Sequence, residues 1–570
     1  MEMRNNNKTM IAIADLQGML TSPPIGTLSL HQALNSQGYE VEYYDLSQEI
    51  ISFLMVHEDF IRLKPKLLNL IHKNIHKPLD YVAFLIIKAT LKRIDNLMQN
   101  HKTKETRRDL WYLYSLIFGH DKEPWIWDRS YNKPVINNNL ETYILKHLII
   151  NGFPRLCQNL LFNDYQFIKY IQNKFSKCSV VALASNRTPV WEPLLKISSI
   201  IKESYPEKII VAGGHCISSQ KTKKSILKEN FKTLNYLITG EGEESFPQLI
   251  NYLHENLKIE NVSNLMYLKN NAVKTNKNTN IKSLNELPIP SYEVYLKKYP
   301  IELQRGDGVY FHGQYLLYET SRRCKWSKCI FCCFINDYKN IPYREKNPSK
   351  VANDIKEISK STGNEQFYFV NDYMPADYAK KLSIEIIKRD LKIKWHTYIM
   401  FENSLDYNTL KLMKKAGCRW LSAGLESGNQ NINNKIRKGI SLKVANRIIK
   451  DCQNLKLDLQ LFTMVGFPME TLGDMTDTLR FIHKNRKRIS KARINFFTPI
   501  SNTIMSELPY KYNLRLEKGG IIRFSKTTIL KRNIFHCICK LYQCYNHFTN
   551  IKYDKIRTIQ IMKKSKNAIY

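Results

Sequence analysis

The stretch Cys324-Lys-Trp-Ser-Lys-Cys329-Ile-Phe-Cys332-Cys333 decides how this sequence is interpreted. Three of its thiols have the spacing C-x4-C-x2-C, and they follow a strand-like apolar run that begins at Tyr315. Three thiolates on one short loop can hold three corners of an iron–sulfur cube. No fourth cysteine follows at a ferredoxin-like distance, so one iron would stay open for a substrate or cofactor to bind.

The spacing alone leaves zinc binding and plain buried thiols open as alternatives. A structural zinc site usually has two separated Cys-x-x-Cys pairs, or Cys with His. Cys333 is a poor fourth ligand, because adjacent residues rarely point at one ion. Disulfides need an oxidising compartment, and the sequence starts without a secretory signal, so we expect a reducing cytoplasm.

The other cysteines form no repeated pattern. Beside His536, three of them form a poorly spaced candidate for a second metal site. These three are Cys537, Cys539 and Cys544. We expect ordinary buried thiols at Cys157, Cys178, Cys216, Cys418 and Cys452.

Length and charge set the broad class of the protein. The chain has 570 residues, which is too long for one core and predicts two or three domains. Its net charge of +36 suggests nucleic-acid binding. However, Lys and Arg are spread along the whole chain among many Asn and Ile, so we expect no specific nucleic-acid partner. No stretch is long and apolar enough to cross a membrane.

The N-terminal part alternates between strands and helices, which predicts an α/β fold with a Rossmann-like parallel sheet. Helical periodicity over about residues 50–175 interrupts this alternation and predicts a helical insertion. Ligands of such sheets bind at the carboxyl ends of the strands. The glycine-containing loops there allow close backbone approach to a ligand, or simply make tight turns. The predicted strands are residues 10–16, 41–46, 180–184, 209–216 and 234–239.

The C-terminal half repeats β-α units and predicts a full or partial TIM-type barrel, in which the chemistry lies at the carboxyl ends of the strands. The strands are predicted at residues 366–370, 395–400, 419–425 and 459–465, and helices at 348–359 and 407–415. We therefore predict a Rossmann-like domain over residues 1–265, a linker over 266–300, a barrel over 301–500 and a short, basic, α-rich region over 501–570.

The cysteine loop resembles the cluster-binding loop of radical S-adenosylmethionine (SAM) enzymes, with one extra residue between the first two cysteines. Phe331 matches the aromatic residue usual before the last ligand. The resemblance implies that Cys324, Cys329 and Cys332 hold a [4Fe-4S] cluster. It also implies that the open iron binds SAM, whose reductive cleavage gives a 5′-deoxyadenosyl radical. Cys333 replaces a usual glycine and is either a harmless small residue or a redox-active thiol.

Three further segments resemble motifs of the cobalamin-type branch of this superfamily. A SAM site needs acceptors, a cation and a close backbone: Asp372, Glu426 and Ser427 can supply the acceptors, Lys438 can meet the carboxylate, and Gly466 allows close approach. The resemblance implies these roles for Glu426, Ser427, Lys438 and Gly466. The alternative is that Asp372 and Glu426 are helix caps or surface ion pairs. The three segments are Glu426-Ser-Gly428, Ile436-Arg-Lys-Gly439 and Gly466-Phe-Pro-Met-Glu-Thr471.

Residues 1–50 and 175–265 resemble the cobalamin-binding domain of that branch. The sequence lacks the Asp-x-His-x-x-Gly loop whose His ligates cobalt in mutases. Either cobalamin binds without that ligand or the cofactor has been lost. The cobalamin contacts that the resemblance implies are Gly213, Gly214, Gly240, Glu241 and Gly242.

The runs Tyr343–Pro348, Phe401–Leu405 and Ala416–Ser427 resemble maturases of ribosomally made peptides. We therefore expect cobalamin-dependent methylation of a peptide, with an electron donor such as flavodoxin or ferredoxin. The alternatives are a radical reaction without cobalamin, such as cyclisation or epimerisation, a tRNA methylthiotransferase, and a zinc-stabilised binding module. A second cysteine triad, expected of the methylthiotransferase, is missing from the N-terminal part.

Overall fold

The structure is a computed structural model, and the chain divides into two compact units. Met1–Lys282 with Glu286–Tyr315 form the first unit, and Ser283–Asn285 with Leu316–Tyr570 form the second. The residues that the structure describes are 10–16, 23–74, 78–102, 105–106, 110, 153–184, 191–214, 217, 228–299, 315–333, 341–500, 502–517, 521–524, 528–531, 533–535 and 560–562.

The first unit contains a seven-stranded sheet. Its strands are β1 (Ile11–Asp15), β2 (Val41–Asp45), β3 (Val180–Ala184), β4 (Ile209–Gly213), β5 (Tyr236–Ile238), β6 (Leu265–Lys269) and β7 (Ala272–Thr275). They lie in the order β2-β1-β3-β4-β5-β6-β7. The first five strands in this order are parallel, and β6 and β7 add an antiparallel hairpin, which confirms the predicted Rossmann-like sheet. All residues of β1 and β3 are buried, as expected of central strands covered on both faces.

The predicted helical insertion lies between β2 and β3. Asp45 begins its first helix, because the Asp45 carboxylate accepts the backbone N–H groups of Ser47 and Gln48. Residues 111–152 of the predicted insertion lie outside the described residues. The helices of this unit are α1 (Ile25–Asn35), α2 (Leu46–Leu54), α3 (His57–Lys73), α4 (Pro78–Gln99), α5 (Phe153–Phe162), α6 (Tyr165–Phe175), α7 (Trp191–Ser204), α8 (Gly242–Leu253) and α9 (Tyr292–Lys298).

The segment predicted as a linker, residues 266–300, differs from that expectation. Its hairpin extends the first sheet, and its helix α9 packs within the first unit. The Tyr295 hydroxyl donates to Asp45 over 2.9 Å, and the Lys298 ammonium donates to the Tyr43 carbonyl over 2.9 Å. The polar composition suggested a linker, whereas these long-range bonds tie the segment to the first unit.

The second unit contains a parallel sheet. Its strands are β8 (Leu316–Glu319), β11 (Gln366–Val370), β12 (Lys394–Ile399), β13 (Cys418–Glu426), β14 (Asp458–Val465), β15 (Lys491–Phe496) and β18 (Gln560–Met562). They lie in the order β18-β15-β14-β13-β12-β11-β8. Helices connect successive strands from β8 to β15, as predicted for a TIM-type barrel sheet. A short antiparallel pair, β9 (Ser321–Arg322) and β10 (Arg344–Glu345), accompanies the sheet.

The connecting helices pack against the apolar side of this sheet. They are α10 (Pro348–Thr362), α11 (Ala376–Lys388), α12 (Tyr407–Lys415), α13 (Gln430–Lys435), α14 (Leu442–Asn454) and α15 (Leu472–Asn485). Leu421, Ala423 and Leu425 of β13 alternate with smaller or polar residues and are fully buried. The predicted strand 366–370 and helix 407–415 agree with β11 and α12 at both ends.

The basic C-terminal region is described in part. It contains the short helix α16 (Ile504–Glu507) and an antiparallel hairpin of β16 (Leu514–Glu517) and β17 (Ile521–Phe524), which was not predicted. Among the described helices, none combines the length and the apolar character needed to cross a membrane. The second candidate metal site, at Cys537, Cys539 and Cys544, lies outside the described residues.

Candidate active site

The cysteine loop follows β8, at the carboxyl end of the second sheet. Its four cysteines are partly exposed, whereas the other four cysteines of the described residues are buried, as predicted. The loop thiols are therefore the ones placed to meet a ligand. The buried cysteines are Cys157, Cys178, Cys418 and Cys452; Cys216 lies outside the described residues.

The loop backbone turns its N–H groups toward the first thiol. Arg323 and Ser327 adopt left-handed backbone conformations, with φ of 74° and 43°. Burial raises the pKa of the Cys324 thiol, and hydrogen bonds from the N–H groups of Ser327 and Trp326 oppose that rise. N–H groups aimed at sulfur favour a thiolate, and they surround the sulfurs of iron–sulfur clusters in the same way.

The loop thiols do not converge on a single ion. Within the described part of the chain, no three His, Cys, Asp or Glu side chains are placed to hold one metal ion. A zinc site would need such convergence, whereas the thiolates around an iron–sulfur cube bind different irons. The residue types of Cys324, Cys329 and Cys332 are those that hold three irons of such a cluster.

An ion pair lies beside these thiols. The Lys438 ammonium donates to Glu426 Oε1 over 2.7 Å, and the Glu426 residue is only 7% exposed. Burial disfavours the Lys438 charge, but Glu426 and the Cys329 thiol outweigh burial and raise the pKa of Lys438. Burial raises the pKa of Cys329 to about 12, and Lys438 acts in the opposite direction. The structure thus brings Glu426 and Lys438 together with the predicted cluster ligands.

Glu426 has a strained backbone. Its φ is 59°, in the left-handed region that side-chain-bearing residues rarely adopt, and the pairing of β13 with β14 shifts register between Gly424 and Glu426. Strain of this kind is usually stored where function requires one side-chain orientation. Here it directs the carboxylate toward Lys438.

Gly424 leaves the space that this ion pair occupies. A Cβ atom at position 424 would lie 2.4 Å from Glu426 Oε1 and 2.8 Å from Lys438 Nζ. Any larger residue would therefore displace the pair. We did not single out Gly424 from the sequence, although a glycine inside a strand often marks a close approach.

Asp372 follows β11 and lies close to the first thiol. Its carboxylate is near enough to Cys324 to affect the pKa of that thiol. Burial, and secondarily the Glu319 carboxylate, raise the pKa of Asp372 to about 6. The Asp372 residue is nevertheless exposed, so water screens part of this effect. Asp372 is thus available as an acceptor.

Ser427 was predicted to contact SAM, but its side chain is buried within its own loop. It is fully buried, its hydroxyl accepts the Asn429 N–H over 3.1 Å, and its carbonyl accepts the Asn433 amide over 2.7 Å. A Cβ atom on the adjacent Gly428 would lie 2.6 Å from the Thr478 Cα. These contacts hold the loop after β13 against α15. The role of Ser427 in the structure is therefore to stabilise the loop that follows Glu426.

Glu470 shapes the loop after β14. Its Oε2 accepts the N–H groups of Gly466 over 2.5 Å and of Phe467 over 2.9 Å. Among the described residues, its Oε1 atom has no hydrogen-bond partner. Burial raises the pKa of Glu470 to about 8. Gly466 has a φ of 82°, so this carboxyl holds the glycine turn that we assigned to SAM. Glu470 lies in a motif quoted above, but its inward orientation was not predicted.

An aromatic surface lines the other face of the second sheet, and we call it the inner face. The ring of Tyr368 stacks on His396 with centroids 4.1 Å apart. The Tyr398 and Phe462 rings lie 5.7 Å apart across β13. They can meet because β13 carries small residues, a serine and Gly424, opposite them. Tyr368, Tyr398 and Phe462 remain partly exposed on this surface.

The glycine segments of the first unit lie at the carboxyl ends of β4 and β5, as predicted. Gly213 ends β4, and Gly214 has a φ of 102°. Near β5, a Cβ atom on Gly240 would lie 2.7 Å from the Asn264 side chain, and one on Gly242 would lie 3.0 Å from a leucine of α1. Packing within the unit therefore explains Gly240 and Gly242.

Glu241 is also used within the first unit. Its Oε2 atom accepts the Ile281 N–H over 2.7 Å. Its carbonyl oxygen accepts the hydroxyl of Ser245 over 3.1 Å and the amide of Asn264 over 3.2 Å. At the end of β4, a Cβ atom added to Gly213 would lie 3.7 Å from the Ile238 carbonyl oxygen, and the Gly214 carbonyl accepts the Ile217 N–H over 3.1 Å.

Comparisons with known proteins identify the second unit. Residues 318–482 match the family model described as the radical SAM superfamily. An uncharacterized methyltransferase of Pyrococcus horikoshii is 25% identical over 371 residues, which cover 65% of this chain and 76% of that protein. This relative supports the interpretation of the protein as an enzyme.

Two solved structures resemble the chain beyond that domain. The cobalamin-dependent SAM radical enzyme OxsB, solved with aqua-cobalamin bound, has a TM-score of 0.60 and 14% identity, and the match covers 95% of this chain and 67% of OxsB. The radical SAM methyltransferase TsrM from Kitasatospora setae, solved with cobalamin and a [4Fe-4S] cluster, has a TM-score of 0.54 and 12% identity, with 88% of this chain and 75% of TsrM covered. The cofactors that we predicted are those named for these two enzymes and their superfamily. The protein is therefore an enzyme with a radical SAM domain at residues 318–482, and it shares its fold with these cobalamin-dependent enzymes.

Proposed function

We propose that this protein is a cobalamin-dependent radical SAM enzyme that methylates a peptide at an unactivated carbon. One observation carries the radical SAM part of the proposal. The Lys438–Glu426 ion pair lies beside partly exposed thiols at the carboxyl end of a parallel sheet. Fold class alone would not suffice, because function depends on the groups at the site.

In this proposal, Cys324, Cys329 and Cys332 hold a [4Fe-4S] cluster. A cluster held there would supply the electron for the reductive cleavage of SAM to methionine and a 5′-deoxyadenosyl radical. Lys438 binds the SAM carboxylate. Glu426 holds the Lys438 ammonium in place and also accepts a hydrogen bond from the SAM amine. The site also includes Asp372 and the backbone near Gly466. Glu470 holds this backbone in its turn conformation by accepting the N–H groups of Gly466 and Phe467.

The methyl donor would be cobalamin held by the first unit. Gly213 and Gly214 are the residues we assign to it, because they lie at the carboxyl end of β4 and a Cβ atom added to Gly213 would lie no closer than 3.7 Å to its neighbours. The likeness in fold to OxsB supports this assignment. Gly240, Glu241 and Gly242 would then shape the neighbouring loop through their own packing.

The substrate would occupy the inner face of the second sheet. Its aromatic rings favour an apolar or planar group over a strongly hydrated one. The resemblance of three sequence runs to peptide maturases supports a peptide. Reduction of the cluster requires a donor such as flavodoxin or ferredoxin, which places the reaction in a reducing cytoplasm.

The decisive experiment uses anaerobically reconstituted full-length protein with SAM and a strong reductant. We expect 5′-deoxyadenosine to form in the wild type and not in Cys329→Ala. We expect Cys333→Ala to retain the activity, because Cys333 is not assigned to the cluster. A fully assembled cluster that neither binds SAM nor cleaves it would contradict the proposal.

A second candidate is a radical SAM enzyme that does not use cobalamin. The internal contacts of Gly240, Glu241 and Gly242 favour it, because these residues need no cofactor to explain them. Titration with hydroxocobalamin, followed by gel filtration and absorbance, separates the two candidates. Retention of stoichiometric cobalamin would support methyl transfer, whereas no retention would support a reaction such as cyclisation or epimerisation.

A further inference from the structure

Trp326 belongs to the spacer between the first two loop cysteines, yet it bonds to a distant segment. Its indole N–H donates to the carbonyl oxygen of Arg437 over 2.8 Å. The side chain is half-buried, and the Lys328 ammonium lies 4.8 Å from its ring centroid. The cysteine loop is therefore joined to the segment Ile436–Gly439, which carries Lys438.

The ring of Trp326 fits against Gly439. A Cβ atom at position 439 would lie 2.1 Å from Cζ2 and 2.5 Å from Cε2 of the indole. The backbone of Gly439 also has a φ of 73°, which favours glycine. The indole thus occupies the space that a side chain at position 439 would need.

Further contacts fix both sides of the same segment. The N–H of Ile330 in the cysteine loop donates to the Ile436 carbonyl over 3.2 Å. The N–H of Lys438 donates to the Asn433 carbonyl of α13 over 2.9 Å. Lys438 therefore lies between the two residues that contact the indole, on a backbone that is held from both sides.

We infer that Trp326 is a positioning residue that fixes the Lys438 ammonium relative to the cluster ligands. The inference rests on the proposed function, in which Lys438 binds the SAM carboxylate while the cluster is held by the loop that contains Trp326. Bridging the two segments sets the distance between cluster and SAM. Such distances matter because small displacements of reacting groups slow a reaction strongly.

The test uses Trp326→Phe, which removes the indole N–H and keeps an aromatic ring. In reconstituted full-length protein we expect the Kd for SAM to rise about five- to tenfold, as for the loss of one hydrogen bond. Iron content should stay at the wild-type value. SAM should shift the electron paramagnetic resonance spectrum of the reduced cluster in the wild type, and in Trp326→Phe the same shift should need higher SAM concentrations. Trp191→Phe in the first unit is the matched control and should leave SAM binding unchanged.

A double-mutant cycle with Lys438→Met separates positioning from a general structural role. If Trp326 acts through Lys438, then Trp326→Phe should change the Kd for SAM less than about twofold in the Lys438→Met background. An equal loss of affinity in both backgrounds would overturn the inference. Hydrogen exchange gives a second readout, since the amides of Ile436–Gly439 should exchange faster in Trp326→Phe, and unchanged exchange would also overturn it.

The outcomes distinguish this inference from the proposed function. Wild-type protein with a complete cluster but no SAM binding would overturn the proposed function and the role of Trp326 with it. Wild-type protein that binds SAM, together with a Trp326→Phe variant that binds equally well, would overturn only the role of Trp326.

Discussion

The carboxyl ends of the two sheets carry groups of different kinds. At the second sheet, Glu426 adopts a strained backbone to face Lys438, and the loop thiols remain partly exposed. At the first sheet, the side chain of Glu241 bonds to the Ile281 N–H of its own unit, and a glycine beside it packs against an asparagine. Both edges have glycines and acidic residues at predicted positions, so residue type alone does not separate them.

This difference shows that a binding site must keep some of its polar groups available to a ligand, instead of using them in contacts within the fold. The second edge keeps partly exposed thiols beside a buried ion pair. At the first edge, most of the predicted groups already have internal partners. The residues themselves therefore support the proposed SAM site, whereas the case for cobalamin depends mainly on the likeness of the fold. The following predictions test this contrast, from the largest expected effect to the smallest.

Replacement of a cluster ligand should have the largest effect. Cys329→Ala should lose more than about 100-fold in 5′-deoxyadenosine formation, because the cofactor carries the chemistry. Iron content per chain and the rate of SAM cleavage measure the effect. The neighbouring variant Cys333→Ala should keep both, and an equal loss in the two variants would show that the loop acts through all four thiols.

Gly424→Ala tests whether SAM binding requires the Glu426–Lys438 ion pair in its present position. The added Cβ would lie 2.4 Å from Glu426 Oε1, so Glu426 and Lys438 must separate or shift. We expect SAM affinity to fall about 10- to 100-fold, or roughly 1.4–2.8 kcal/mol, because the displaced Lys438 ammonium would no longer meet the SAM carboxylate. Isothermal titration of reconstituted protein measures it.

The control for this variant is Gly473→Ala in α15, where the nearest atom to an added Cβ is 3.5 Å away. It should bind SAM like the wild type. Normal binding by Gly424→Ala would mean that the ion pair is not part of the SAM site.

The carboxyl of Glu470 should make stability depend on pH. Its pKa of about 8 in the fold is above the ordinary carboxyl value, so the unfolded chain releases this proton first as pH rises. The protonated form is favoured in the fold, and stability from this group is full below about pH 4.5 and is lost progressively up to about pH 8.

Thermal unfolding of the wild type and Glu470→Gln between about pH 5.5 and pH 9 measures this dependence. The wild type should lose stability relative to the variant as pH rises, by a few kcal/mol at most. A constant difference between the two proteins over this range would show that Glu470 is already ionised in the fold.

A pair of glycine variants in the first unit should give the smallest effects and sharpen the contrast within one edge. Gly240→Ala should lower stability by about 1–3 kcal/mol, because its Cβ meets Asn264 at 2.7 Å. Gly213→Ala should change stability by less than about 0.5 kcal/mol, since the nearest atom lies 3.7 Å away.

If cobalamin approaches the backbone at β4, Gly213→Ala should nevertheless weaken cobalamin binding about tenfold, as measured by absorbance titration. Loss of cobalamin binding in Gly240→Ala alone, with the fold intact, would mean that cobalamin contacts the loop after β5 and not the end of β4.

The fold could be predicted well from the sequence where local periodicity and burial agree. The strand 366–370 and the helix 407–415 are examples, because each has a clear pattern and a clear start. A small hairpin was expected from about residue 261, but the residues of β7 were placed in the polar linker, since their exposed side chains hide the pairing of β7 with β6. Strand pairing depends on the neighbouring strand, so it cannot be predicted from the sequence of one segment alone.

The candidate site was predicted to a similar degree. The cysteine spacing, Glu426 and Lys438 could be found because their chemistry is visible in residue type. Trp326 and Gly424 were not found, because a contact with a residue far along the chain decides their roles. Ser427 was assigned to the ligand, but its hydroxyl turns inward and accepts a neighbouring N–H of its own loop.

The small residues of β13 have a consequence for how this protein can evolve. Gly424 both leaves room for the Glu426–Lys438 pair and lets the rings of Tyr398 and Phe462 meet across the strand. A descendant that abandoned SAM chemistry would still need a small residue there to keep its aromatic surface. A descendant with a new substrate surface would still need it for the ion pair. Adaptation to new substrates is therefore easier at Tyr398 or Phe462, which lie outside the ion pair, than at the glycine between them.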